Sequence, residues 1–132
     1  MKLVYVAGPF SAATREGVEA NIQRAALLGV EVAKLGAFPV VPHANTALPE
    51  YEHVQPYKFW IEGTLELMRR CHAVIMLPGW EASSGARAER FEAMARRMPV
   101  FETLSQLEYW LRTGEEQTGK GRIEPEISYI RG

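Results

Sequence analysis

The sequence predicts an α/β fold: a single-domain three-layer sandwich whose mainly parallel sheet has four to five strands, with helices on both faces. Three observations carry this expectation. Short apolar runs rich in β-branched residues alternate with longer segments of helical spacing. Glycines and prolines sit where one kind of segment gives way to the other. The 132 residues suffice for one compact core and are too few for two ordinary domains.

Leu3-Val4-Tyr5-Val6-Ala7, closed by Gly8-Pro9, reads as the first buried strand. A small polar loop, Ser11–Thr14, leads into a helix over about Arg15–Leu35. There Val18, Ile22, Ala25, Ala26, Gly29, Val32 and Ala33 recur at threes and fours. Gly36 is placed to end it. Ala37–Val41 is the second strand, with Pro39 near a strand start or sheet edge. Pro42–Pro56 is the longest irregular segment, and loops of that length usually carry function or move. Helical spacing returns over Tyr57–Arg70 through Phe59, Trp60, Gly63, Leu67 and Met68, with Trp60 read as core. His72–Leu77 is the clearest central strand. Ser84–Arg97 follows as a helix that offers Ala86, Phe91, Ala95 and Met98 for packing. Pro99–Glu102 is a fourth strand, and Thr103 or Ser105 caps a short helix to about Arg112. The domain is therefore placed at residues 1–113. Residues 114–132 form a polar tail in which Ile127–Ile130 suits an edge strand or a subunit contact.

Composition narrows the function classes. Apolar residues make up 47%, charged residues 23%, and the formal net charge is −1. Basic residues are scattered rather than striped, so a nucleic-acid polymer is not the expected partner. No apolar run approaches the ~20 residues that span a bilayer, so no membrane partner is expected. The N-terminus has no signal-peptide pattern, and the single cysteine, Cys71, fits a reducing compartment, so a cytoplasmic location is expected. Cys71 lies where a helix meets a strand and reads as a buried, inert thiol. The three histidines, His43, His53 and His72, show no paired spacing, so no metal is expected. Neither Gly-x-Gly-x-x-Gly nor Gly-x-x-x-x-Gly-Lys occurs, which argues against a dinucleotide cofactor or a P-loop; no cofactor is expected.

In a parallel sheet of this flavodoxin/Rossmann-like kind, ligands bind beyond the carboxyl ends of the strands. The loops after the first three strands should therefore meet at one edge. The first carries Gly8, Pro9 and Phe10: glycine admits close backbone approach and phenylalanine offers a flat apolar face. The second carries His43, able to contact a ligand. The third runs Pro78–Gly85 into a helix start, where Ser83, Ser84 and Gly85 supply hydroxyls and free N–H groups suited to an anion. Serine is also a common N-cap, and Glu89, just beyond, can equally be a solvated helix glutamate. Trp80 has little local core to fill; it can stack on a planar group such as a base, or simply cover the loop. Tyr5 shares a strand face with Leu3 and Ala7. It is either a core tyrosine or a phenol that orients a carboxylate from the third junction.

The runs Tyr5-Val6-Ala7-Gly8-Pro9-Phe10 and Cys71–Glu89, with Ser-x-Gly-x-x-x-Glu after a strand, resemble the nucleoside 2-deoxyribosyltransferase superfamily. The resemblance is nearest to its small bacterial and phage domains and extends to the 2′-deoxynucleoside 5′-phosphate N-hydrolases. It covers roughly Lys2–Phe101. It implies Glu89 as a nucleophile that attacks the anomeric carbon, Tyr5 as the group that positions it, and Gly8 with its loop as pocket lining. Water as acceptor would make a hydrolase, another base a transferase. Where the transferases tend to have an aspartate for the 5′-hydroxyl, this chain has Ser83, which favours a 5′-monophosphate. The resemblance also implies a homodimer or larger assembly that completes the pocket. Two positions depart from the pattern: Thr64 stands where an acid often serves the leaving base, and His72 where aspartate is common. The alternatives are a non-catalytic nucleotide-binding or sensing domain, and a structural or partner-binding domain.

Overall fold

The computed structural model describes residues 1–117. Its elements are β1 (Leu3–Ala7), α1 (Arg15–Lys34), β2 (Phe38–Val40), α2 (Pro42–Asn45), α3 (Tyr57–Arg69), β3 (Ala73–Met76), α4 (Ser84–Ala95), β4 (Val100–Phe101) and α5 (Leu104–Thr113). Two 3-10 turns, Pro49–His53 and Trp80–Ala82, lie in the loops after β2 and β3. The sheet order is β2-β1-β3-β4, and every pairing is parallel. This is the Rossmann-like α/β sandwich. The suggested strand at Ile127–Ile130 lies outside the described residues.

Strict alternation along the central strands divides the core in two. Val4 and Val6 of β1, with Ala73 and Ile75 of β3, join Ala25 and Val32 of α1 and Leu107 and Trp110 of α5. Tyr5 and Ala7, with Val74 and Met76, join Met68 and Cys71 on one side and Ala86 and Ala93 of α4 on the other. Tyr5 is fully buried, so β1 and β3 are sandwiched between helices, as continuous apolar strands require. In register Tyr5 lies opposite Val74 and Ala7 opposite Met76, so the carboxyl ends of β1 and β3 are level.

The helices begin where their sequence allows. Thr14 caps α1 by accepting from the Gly17 N–H, Ser83 caps α4 through Ala86, and Thr103 caps α5 through Gln106. Pro42 opens α2 because the first helical turn has no use for its missing N–H. The segment 42–56 is thus partly helical rather than irregular throughout. Two packing expectations also change. Phe91 is 76% exposed, because α4 turns Ala86 and Ala93 to the sheet; small residues let this helix lie close. Trp60 joins neither core cluster: its indole N–H donates to the Gln55 carbonyl, and its ring meets Tyr51 and Phe59 edge-on. Cys71 is buried, and burial pushes its thiol above the ordinary value, so it is a weak nucleophile. No helix among the described residues is long and apolar enough to cross a membrane.

Candidate active site

Tyr5 and Glu89 meet. The Tyr5 hydroxyl donates to Glu89 Oε2 at 2.6 Å, joining the middle of β1 to the second turn of α4. The contact is possible because Ala86 and Ala93 bring α4 down onto the Tyr5 face of the sheet. Burial pushes the Glu89 carboxyl up to about 7, with the Tyr5 hydrogen bond pulling against that rise. Burial, and then the neighbouring Glu89 charge, hold the Tyr5 phenol far above its ordinary value. Tyr5 therefore stays protonated and donates, while Glu89 titrates near neutrality. Of the two readings of Tyr5, the structure combines both: a core residue whose polar end holds the carboxylate.

Thr64 belongs to the same cluster. It donates to the Ile61 carbonyl at 3.0 Å, one turn back in α3, and its hydroxyl is close enough to the Tyr5 phenol to pull that group's pKa down, against the effect of burial. The sequence marked Thr64 only as a missing acid; its contact with Tyr5 depends on how α3 crosses the sheet, which spacing does not reveal. His72 has a structural task of its own. Its Nδ1 accepts the Leu3 N–H at 2.8 Å, which serves the start of β1 far from its carboxyl end.

Ser83 accepts the Ala86 N–H through Oγ at 3.1 Å, which leaves its own O–H free to donate. Ser84 and Gly85 occupy the first turn of α4, where backbone N–H groups have no partner within the helix. Glu89 lies six positions after Ser83, a rise of roughly 9 Å along the axis. One helix thus carries an anion-suited start and, further in, a carboxylate held by Tyr5.

The first loop is built differently from expectation. A Cβ at Gly8 would lie 2.7 Å from Leu77 Cβ and 2.8 Å from Leu77 Cδ2, so glycine is required by packing against the chain leaving β3. His43 is buried, and its Nε2–H is shared by the Gly8 and Pro9 carbonyls at 3.1 Å each. Burial lowers its pKa, although both carbonyl bonds oppose the shift, so the ring is neutral. The Phe10 ring lies tilted against it, centroids 5.9 Å apart. Asn21 of α1, which no motif singles out, donates to the Phe10 carbonyl at 3.0 Å and the Ser11 carbonyl at 3.3 Å.

Trp80 has a partner within the chain. It packs against the Tyr5 side of the core, and the Arg90 guanidinium lies 4.7 Å over its ring. Arg90 in turn pairs with Glu102 at 2.9 Å. One face of the indole is therefore occupied by this chain's own arginine, and the tryptophan covers the loop. A cavity of about 300 Å³ lies elsewhere, over the β4 edge beside Met94, Met98 and Phe101; its lining includes none of Tyr5, Gly8, Ser83 or Glu89.

No curated protein matches the chain in comparison. Residues 2–102, which span all four strands and the Tyr5–Glu89 pair, match a family described as Domain of unknown function (DUF4406), and the chain belongs to that family.

Proposed function

We propose that the protein is an N-glycosidase or 2-deoxyribosyltransferase that cleaves the N-glycosidic bond of a (deoxy)nucleoside 5′-monophosphate. The observation that carries this reading is the 2.6 Å bond from Tyr5 to a partly buried Glu89, on the helix that Ser83 caps. A buried carboxylate has lost much of its hydration and is a better nucleophile for it; the Tyr5 hydroxyl fixes which oxygen attacks. Glu89 forms a bond to C1′ as the C1′–N bond breaks, and the base leaves with the electron pair and takes a proton from solvent. Water, or a second base, then attacks C1′ and frees the carboxylate, with overall retention. The Ser83 O–H and the first-turn N–H groups suit the 5′-phosphate. Exposed Leu48, Val54, Tyr57 and Phe59, between the carboxyl end of β2 and the start of α3, support a homo-oligomer.

A second reading is a nucleotide-binding domain without turnover. It is favoured by Thr64, whose hydroxyl is an alcohol where a leaving base would want an acid. Incubation with a panel of nucleosides and deoxynucleoside monophosphates, followed by separation of free bases, decides between them. Base released by the wild type and lost in Glu89→Ala supports the enzyme. Unchanged release in Glu89→Ala removes Glu89 from the mechanism. Thermal stabilisation by nucleotide with no base released supports the binding domain.

A further inference from the structure

Four consecutive carbonyls of the first loop each accept a hydrogen bond from a side chain of another element. Gly8 and Pro9 point theirs at His43 Nε2, while Phe10 and Ser11 point theirs at Asn21 Nδ2. In a trans peptide the C=O and the following N–H point in opposite directions, and no cis bond occurs among the described residues. The Gly8–Pro9 peptide has no N–H to orphan, so its carbonyl is turned at no loss. The N–H groups of Phe10, Ser11 and Ala12 must face away from His43 and Asn21, and none has a hydrogen-bond partner among the described residues.

The topology says what lies on that other side. His43 follows β2 and Asn21 belongs to α1, on one flank and one face of β1. β3 lies on the opposite flank, and α4 with Glu89 on the opposite face. A row of aligned backbone N–H groups is an anion-binding concavity when nothing else satisfies it. His43 is also far too buried for a surface role, at 4% exposure, and its Nδ1 is unpartnered among the described residues. Such a cost is understandable if the ring is kept for what Nε2 does.

We propose that His43 and Asn21 are positioning residues that present the Phe10, Ser11 and Ala12 N–H groups to a phosphate oxygen of the ligand in the Glu89 crevice. This builds on the pocket proposed above and adds a second set of phosphate donors, facing those at Ser83. Neither side chain touches the ligand; both act through the backbone.

The test uses His43→Ala, Asn21→Ala and His43→Gln, since the glutamine amide can place a donor near the position of Nε2. Backbone 15N order parameters of Phe10, Ser11 and Ala12 are measured without ligand, and binding of matched deoxynucleoside monophosphates and nucleosides is measured alongside. The two alanine variants should drop these order parameters from about 0.85 toward 0.6. They should weaken the monophosphate about tenfold, the worth of one or two good hydrogen bonds, and the nucleoside much less. His43→Gln should restore both. Alanine variants with wild-type order parameters, equal losses for monophosphate and nucleoside, or a glutamine variant no better than alanine would each overturn the proposal. If the wild type binds no nucleotide, the pocket reading itself fails. Inorganic phosphate then probes the donors directly, and unmoved Phe10–Ala12 amide shifts would overturn them too.

Discussion

The Tyr5 hydroxyl sits 2.6 Å from Glu89 Oε2 across 84 residues of sequence, and it is the bond around which the candidate site is arranged. It draws the carboxylate toward its charged form, against the effect of burial, as well as holding it in place. Tyr5→Phe keeps the buried ring and removes one charge-assisted hydrogen bond, worth roughly 1.5–3 kcal/mol. Base release should fall about ten- to a hundredfold. Without the bond that pulls it down, the Glu89 pKa must rise further, so the ionised, attacking form appears only at higher pH. The acidic limb of the pH–rate profile should therefore move upward from about 7. A Tyr5→Phe profile with an unmoved limb would show that the hydroxyl does not act on Glu89.

The same carboxylate makes stability depend on pH. Between its ordinary value of 4.5 and about 7, folded Glu89 holds a proton that the unfolded chain has released. The unfolded state then binds fewer protons, so stability falls as pH rises through that window and levels off above it. The difference of about 2.5 units corresponds to something on the order of 3 kcal/mol. Glu89→Gln keeps an acceptor for Tyr5 without the charge. It should abolish base release yet raise the melting temperature at pH 8, with little gain at pH 4.5. His43 contributes with the opposite sign: its lowered pKa costs stability as pH falls below about 6.5, so the comparison is made against wild type at each pH.

Much of this architecture was legible in the sequence because β1 and β3 are buried on both faces. Val4, Val6 and Ile75 face one helix layer while Tyr5, Val74 and Met76 face the other, so their runs are apolar throughout. What stayed hidden depends on direction rather than residue type. His43 was expected as a ligand contact; its task follows from where two carbonyls point. The partner that occupies Trp80, Arg90, is ten residues away, beyond a 3-10 turn and more than a turn of helix. Phe91 was expected in the core, yet the stripe that meets the sheet uses Ala86 and Ala93, whose small side chains are what let Glu89 reach Tyr5.

Gly8 is fixed by packing, and its replacement should say so. In Gly8→Ala the new methyl meets Leu77 Cβ and Cδ2 below 3 Å, and a Cβ has no rotamer by which to escape. Overpacking of this kind costs about 1–3 kcal/mol. The urea midpoint should fall accordingly, with ligand absent. An unchanged midpoint would mean that the chain leaving β3 yields readily and that Gly8 is required by something else.

His72 has a strand to hold rather than a substrate. His72→Ala leaves the Leu3 N–H without its acceptor; since the pair is exposed, water replaces part of the bond, and the loss should be about 1 kcal/mol or less. His72→Asp keeps an acceptor close to where Nδ1 lies and should be nearly neutral. Denaturant melts of the two variants separate these outcomes, and neither should alter base release. A large loss of turnover in His72→Asp at unchanged stability would return His72 to the site.

Ser83 offers the sharpest test of what the site accepts. It caps α4 by accepting the Ala86 N–H, and aspartate is as good an N-cap as serine, so Ser83→Asp should fold with about wild-type stability. The chemistry presented to a ligand is nevertheless inverted. Serine can donate its O–H to a phosphate, whereas an aspartate can only repel one and accept from a hydroxyl. At about 4 Å and an effective dielectric near 20, two like charges repel by roughly 4 kcal/mol, which outweighs the few tenths that separate the caps. Ser83→Asp should therefore lose a deoxynucleoside monophosphate by a hundredfold or more while retaining or gaining the free nucleoside. Ser83→Ala should cost about 1 kcal/mol of stability through the lost cap and weaken the monophosphate only modestly, because the first-turn N–H groups remain. Thermal shift and equilibrium binding with the matched pair of ligands read both variants. Equal losses of nucleoside and monophosphate in Ser83→Asp would place the phosphate somewhere other than the start of α4.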